Sequence, residues 1–293
     1  MAHQLQLDQF PIQSVRIHGQ IQTYREAGQG QTLLLLHGIS SGAGSWLKQF
    51  QHLSQHYRLI AWDAPGYGQS EPLHTATPSA QDYAERINQL LDVLQLDQVV
   101  LVGHSLGAMF AAAFAAAYPE RVQHLLLLNP AQGYATADAQ TQQQVYAQRP
   151  EMLKTLGAAG MAARRGPHLV YQHSPEIMAL INTVMANLTL DGFRQASYVL
   201  AYDQIQHYLT QLQIPCHVIA GEQDGITPLS GIEALVKQLQ LQHFYRIQAA
   251  GHLSYLDQPD AFEQIVFNIV KPSHVDNSNS NSVPAVSVRF ECE

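Results

Sequence analysis

Between the apolar run Val99 to Val102 and an alanine-rich stretch lies Gly103-His104-Ser105-Leu106-Gly107, a serine two residues from a glycine on either side. A serine hydroxyl attacks a carbonyl only when a base takes its proton. A sharp turn from strand into helix would expose Ser105 at the edge of a sheet. It would also aim the Leu106 N–H, at the helix N-terminus, towards a developing oxyanion. Such a turn leaves little room beside it, which accounts for the two glycines. Gly-x-Ser-x-Gly is by itself a common pattern; the strand before and the helix after give it this meaning. His104, at the variable position, is expected to face away from the serine and to be structural.

Fifteen histidines could supply the base, and position separates them. His252 follows the apparent strand His243 to Gln248 and precedes the last helical pattern, whereas His52, His56, His124 and His243 sit in polar, surface-like stretches. For the acid, the run His217 to Ala220 ends in Gly221-Glu222-Gln223-Asp224. Asp224 then lies 252 − 224 = 28 residues before the base, in the chain order Ser…Asp…His. Glu222 competes for that role, and Asn129, at the end of another apolar run, is unsuited to it. A second oxyanion donor is expected after Leu33 to Leu36, where His37-Gly38-Ile39 would offer the Ile39 N–H beside that of Leu106. His37 reads as ordering its loop rather than carrying protons.

The elements that must position these groups follow from patterning. Residues 14–27 alternate apolar and polar around a glycine, as an antiparallel hairpin does. Continuous apolar runs at 33–36, 59–62, 99–102, 125–128 and 217–220 have the length of strands buried on both faces. Helical periodicity fills 79–96 and 259–270. The fold class is α/β, a mostly parallel, doubly wound sheet. From 133 to 212 helical patterns recur without a strand, over 138–156, 175–188 and 192–212, with Arg164-Arg165-Gly166-Pro167 as a break. This segment is expected to be an inserted helical cap, with 1–132 and 213–272 forming the core and 273–293, rich in Ser and Asn, disordered.

A formal charge of −8 over 293 residues, without a basic stripe, argues against a nucleic-acid partner. The N-terminus lacks a signal-peptide pattern and no apolar stretch is long enough to span a bilayer, so no membrane association is expected and the location expected is cytoplasmic. Cys216 and Cys292 lie far apart and suggest no disulfide framework. No cluster of metal-ligand residues stands out, so neither metal nor cofactor is expected. A homo-oligomer is compatible with the sequence, which does not fix the oligomeric state.

LLLLHG at 33–38, WDAPGYGQS at 62–70, VGHSLGA at 102–108, YPERV at 118–122, AGEQDGITP at 220–228 and AGHLSYLDQPDAF at 250–262 match, in order, landmarks of the α/β-hydrolase superfamily. The resemblance covers about residues 12–270. Within the superfamily the chain resembles the capped bacterial group of enol-lactonases, meta-cleavage-product hydrolases and cofactor-free haloperoxidase-like esterases. Haloalkane dehalogenases and epoxide hydrolases share the fold but use an aspartate nucleophile, and Ser105 sets this chain apart. The resemblance implies attack by Ser105, proton transfer by His252, orientation of His252 by Asp224, and an oxyanion hole at Ile39 and Leu106.

The partner expected is a small molecule: an ester, a lactone or a diketone. In the cap, Arg164 and Arg165 could bind a substrate carboxylate or simply mark a solvated break. Met152, Met161, Met178 and Met185 could line the pocket or fill helix cores. Trp46 could line the pocket or pack the oxyanion loop. Ester or lactone hydrolysis is the leading reading, C–C bond hydrolysis of a ring-fission product the alternative. A receptor that kept these residues would bind its ligand without turnover.

Overall fold

Leu33, Leu34, Leu35 and Leu36 have no polar face to offer water, and all four are fully buried at the centre of the sheet. Each contributes roughly 2 kcal/mol through removal of its side chain from water. The computed structural model describes residues 6–271, so the tail expected to be disordered lies outside the described residues. Its sheet comprises β1 (Ile12–Ile17), β2 (Gln20–Ala27), β3 (Thr32–Leu36), β4 (Arg58–Trp62), β5 (Val99–His104), β6 (Val122–Leu128), β7 (Cys216–Gly221) and β8 (His243–Ile247). The spatial order is β1-β2-β4-β3-β5-β6-β7-β8. The β1–β2 hairpin and the β2–β4 pair are antiparallel, and every pairing from β4 to β8 is parallel. Parallel strands bring their carboxyl ends to one edge, and the loops leaving that edge build the site.

The helices are α1 (Leu47–His52), α2 (Ala80–Val93), α3 (Leu106–Ala117), α4 (Ala139–Arg165), α5 (Pro175–Met185), α6 (Leu190–Tyr202), α7 (Ile205–Leu209), α8 (Leu229–Gln238), α9 (Ser254–Asp257) and α10 (Pro259–Ile269). α3 reads LGAMFAAAFAAA and is buried from Leu106 to Ala115; its alanines let it lie close against the strands. α2 begins with a capping box, in which the Asp82 carboxylate accepts from the Ser79 N–H at 2.7 Å.

Between β6 and β7 the described residues form helices and no strand. α4 opens on Asp138, whose carboxylate accepts from the Thr141 N–H at 2.9 Å. It is bent at Gly157, where φ 67° and ψ 175° leave the helical region. Glycine tolerates the positive φ that this sharp bend demands, and the break expected at 164–167 follows it, where α4 ends at Arg165 and a 3-10 turn spans Gly166–His168. The helix expected over 192–212 is two. Asp203 takes an extended conformation between α6 and α7, and its carboxylate accepts from the Ala80 N–H and the Tyr208 hydroxyl, each at 2.8 Å.

The inserted segment is pinched where it meets the sheet. Gly133 bridges Gln204 antiparallel, and the Ile205 N–H donates to the Gln132 carbonyl at 3.0 Å. A Cβ on Gly133 would stand 2.0 Å from the Asp203 carbonyl oxygen, so only glycine fits this neck. Beyond it, α7 packs on α3. The neck closes at Gln204, and the helical patterns expected to run to 212 continue beyond it into α7.

Candidate active site

β5 ends at His104 and α3 begins at Leu106, leaving Ser105 alone in the turn with φ 54° and ψ −118°. A non-glycine residue held there costs about 1–3 kcal/mol, which the surroundings must offset. The Ser105 N–H donates to the Leu128 carbonyl at 2.9 Å, and the Ser105 carbonyl accepts from the Ala131 N–H at 3.1 Å. The turn is tight on both sides. A Cβ on Gly103 would lie 2.5 Å from the Gly107 carbonyl oxygen, and one on Gly107 would lie 2.4 Å from that of Leu36.

His252 sits in the loop from β8 to α9, with its Nδ1 2.8 Å from Asp224 Oδ2. Asp224 follows β7 and is buried among donors. The Ile226 and Thr227 N–H groups donate to Oδ1 at 2.7 and 3.0 Å, and the Thr227 hydroxyl and Asn129 Nδ2 donate to Oδ2 at 2.6 and 2.8 Å. Burial alone would raise this carboxyl's pKa. The His252 charge, with hydrogen bonds from His252 and Thr227, outweighs burial and holds it well below the usual carboxylate range. Asn129, just after β6, also accepts from the Ser254 hydroxyl at 2.7 Å, so it ties Asp224 to α9. Asp257 fixes the loop of His252 in turn, accepting from the N–H groups of Gly251 and Tyr171 at 2.8 Å and of Gln172 at 2.9 Å.

Ser105, His252, Ile39 and Leu106 line one cavity of about 300 Å³. The N–H groups of Ile39 and Leu106 donate to no acceptor among the described residues. The loop that carries Ile39 is anchored from below. The Tyr67 hydroxyl donates to the Ile39 carbonyl at 2.8 Å, and Asp63 accepts from the Ala43 N–H at 2.8 Å. His37 Nε2 accepts from the Ala64 N–H at 3.0 Å, while Nδ1 meets the Gly38 carbonyl at 2.8 Å. Such an arrangement can activate a hydroxyl, hold a tetrahedral oxyanion and protonate a leaving group.

The buried histidines set an acid limit. Burial lowers His37 from 6.5 to about 4, and burial followed by the neighbouring His243 and His124 charges lowers His217 equally far. Their folded pKa values lie below the unfolded ones, so the stability they contribute is complete above about 6.5 and is lost as pH falls towards 4. The full His37 shift corresponds to about 3 kcal/mol. Thermal melts taken from pH 7 down to pH 4 should therefore show Tm dropping steeply; a flat Tm over that range would contradict it.

A family model described as the alpha/beta hydrolase fold matches residues 31–259. The chain belongs to the α/β-hydrolase family. It is 28% identical over 279 residues to the 2-hydroxy-6-oxononadienedioate/2-hydroxy-6-oxononatrienedioate hydrolase of Paraburkholderia phymatum, covering 87% of this chain and 91% of that one. To 3-oxoadipate enol-lactonase 1 of Acinetobacter baylyi it is 25% identical over 244 residues, covering 82% and 88%. Among solved structures, a thermophilic esterase from Thermogutta terrifontis matches with TM-score 0.78 at 25% identity, covering 87% of this chain and 97% of the esterase.

Not every residue singled out above reaches the cavity of this α/β-hydrolase. Trp46 is fully buried, stacks on Tyr255 with ring centres 4.2 Å apart and does not line the cavity. Arg164 is exposed and does not line the cavity, whereas Arg165, next in the chain, does. None of the four cap methionines lines the cavity; Met161 and Met185 are fully buried in the helix core. Glu222 stays outside the lining. His104 does not turn away: it lines the cavity, its Nε2 lies 2.9 Å from the His252 carbonyl, and its ring centre is 4.7 Å from that of His252.

Three contributors escaped sequence reasoning. Thr227 had a detectable signal, because an aspartate three residues before it favours a turn closed by its own carboxylate. Asn129 was considered only as an acid, and Arg149, in a glutamine-rich helix, gave no signal that separates it from a solvated face. Away from the cavity, His52, Asp260 and Glu263 bring ligand atoms within 4.8 Å of one another, with the first two exposed. There His52 Nδ1 pairs with Glu263 at 3.2 Å. No helix among the described residues is long and apolar enough to cross a membrane.

Proposed function

We propose that this α/β-hydrolase cleaves a small carboxylic ester or lactone through an acyl-enzyme on Ser105. The observation that carries this reading is the His252 Nδ1 to Asp224 Oδ2 contact of 2.8 Å, made beside the cavity that Ser105 and His252 share. His252 takes the hydroxyl proton as Ser105 Oγ bonds to the substrate carbonyl carbon. The carbonyl electron pair moves onto oxygen, where the Ile39 and Leu106 N–H groups receive it. Collapse expels the alkoxide, which takes the proton from His252. Water, deprotonated by the same imidazole, then releases the acid and restores Ser105. Asp224 keeps the Nδ1 proton in place, so that Nε2 is the basic nitrogen.

Similarity to the Paraburkholderia hydrolase, named for an oxo-dienedioate, favours a second reading with the same residues: cleavage of a carbon–carbon bond in a ring-fission diketone. A panel of p-nitrophenyl esters and small lactones, run beside a ring-fission dienoate, separates the two. Wild-type protein is expected to turn over esters or lactones, and Ser105→Ala protein is not. Turnover of the dienoate alone would favour the second reading, and turnover of neither would defeat both.

A further inference from the structure

The cavity that holds Ser105 and His252 is also lined by Arg149 and Arg165, both from α4, and by no aspartate or glutamate side chain. Each guanidinium has its Nε fully enclosed and without a hydrogen-bond partner. Neither forms an ion pair among the described residues. Three other arginines are matched: Arg58 with Glu26 at 2.7 Å, Arg121 with Asp92 at 2.7 Å, and Arg25 with the Leu7 carbonyl at 3.0 Å.

Two unmatched guanidiniums facing one chamber are costly, since each loses water without gaining a partner and each repels the other. Burial, followed by the Arg165 charge, lowers Arg149 to about 10, so it remains a cation at neutral pH. The backbone is shaped to bring them together. On a straight helix, residues 165 − 149 = 16 positions apart would be separated by about 24 Å. The bend at Gly157 lets both reach one cavity of about 300 Å³. A planar donor fork suits the paired oxygens of a carboxylate better than a point charge would. That volume lies at the small end of ligand sites, so the anion and the reacting carbonyl share one short molecule.

We propose that Arg149 and Arg165 form a carboxylate-binding subsite, and that the substrate is an ester or lactone of a small acid that keeps a second, free carboxylate. The proposal rests on the reading of Ser105 as nucleophile only for the reaction, not for the binding.

The test compares the mono-p-nitrophenyl ester of adipate with p-nitrophenyl hexanoate, equal in length but neutral. Wild-type kcat/KM should favour the carboxylate ester by about ten- to hundredfold, mainly through KM. Arg149→Met with Arg165→Met should abolish most of that preference. A second arm needs no variant: adipate should raise the wild-type Tm and compete with the neutral ester, while inorganic phosphate at equal concentration should do neither. Equal kcat/KM for the two esters, or protection by phosphate as strong as by adipate, would overturn the subsite. Failure to hydrolyse either ester, with adipate still raising Tm, would instead remove the nucleophile reading and leave the subsite in place.

Discussion

Replacing Ser105 with alanine should lower kcat on any ester the wild type cleaves by about 10⁴-fold or more, with Tm nearly unchanged. The size follows from what is lost: without Oγ no acyl-enzyme forms, and the remaining amides and imidazole can only assist direct attack by water. Tm stays because alanine keeps the Cβ and the same φ of 54°, along with the Leu128 and Ala131 backbone bonds that hold the turn. Ser105→Gly is a useful companion. It should abolish turnover equally but raise stability by about 1 kcal/mol, since glycine occupies positive φ without strain. Ester hydrolysis within tenfold of wild type for the alanine variant would end the reading of Ser105 as nucleophile.

Asp224→Asn should lower kcat by about 10³- to 10⁴-fold and also lower Tm. Oδ2 of Asp224 faces three donors at once: His252 Nδ1, the Thr227 hydroxyl and Asn129 Nδ2. An amide in this place turns its NH2 either to these donors or, flipped, to the Ile226 and Thr227 N–H groups that face Oδ1; in the first orientation the imidazole can settle in the tautomer with its proton on Nε2. That nitrogen could no longer accept a proton from the serine. The stability loss has a definite sign. A carboxyl held below its unfolded pKa stabilises the fold above about 4 and ceases to as pH falls through its folded value. At neutral pH the asparagine variant therefore forfeits a contribution on the order of 2 kcal/mol. Turnover within tenfold of wild type, measured alongside Tm, would show that the Asp224–His252 contact does not govern the reaction.

Much of this architecture is legible in the residues, for physical reasons that also mark where legibility ends. Leu33–Leu36 and Val99–Val102 are apolar on both faces, and only a strand covered on both sides can hold them, so the parallel sheet follows. Gly103 and Gly107 stand where a Cβ would strike backbone, and an excluded volume of that kind leaves a fixed spacing in the chain. Asp224 and His252 come directly after strands, where a side chain is carried to the sheet edge. The inserted helices obey no such rule. Trp46 and the cap methionines have the same composition whether they face a chamber or a core, and packing between helices decides it. Arg149 looks like any charge on a glutamine-rich helix, yet it and Arg165, on either side of the bend at Gly157, line one cavity. Asp203 splits one periodic stretch into α6 and α7, where its carboxylate serves the Ala80 N–H, a partner far away in sequence.

The pinch where Gly133 meets Gln204 separates two kinds of inheritance in this chain. A segment whose ends already touch can grow, shrink or be exchanged without pulling strands apart, since closure entropy changes only with the logarithm of its length. Arg149 and Arg165 lie inside that segment, and Ser105, Asp224 and His252 lie outside it. If Ser105, Asp224 and His252 react as proposed, a fragment swap between family members at these two positions would carry the Arg149 and Arg165 pair as a cassette and leave the reacting groups with the host.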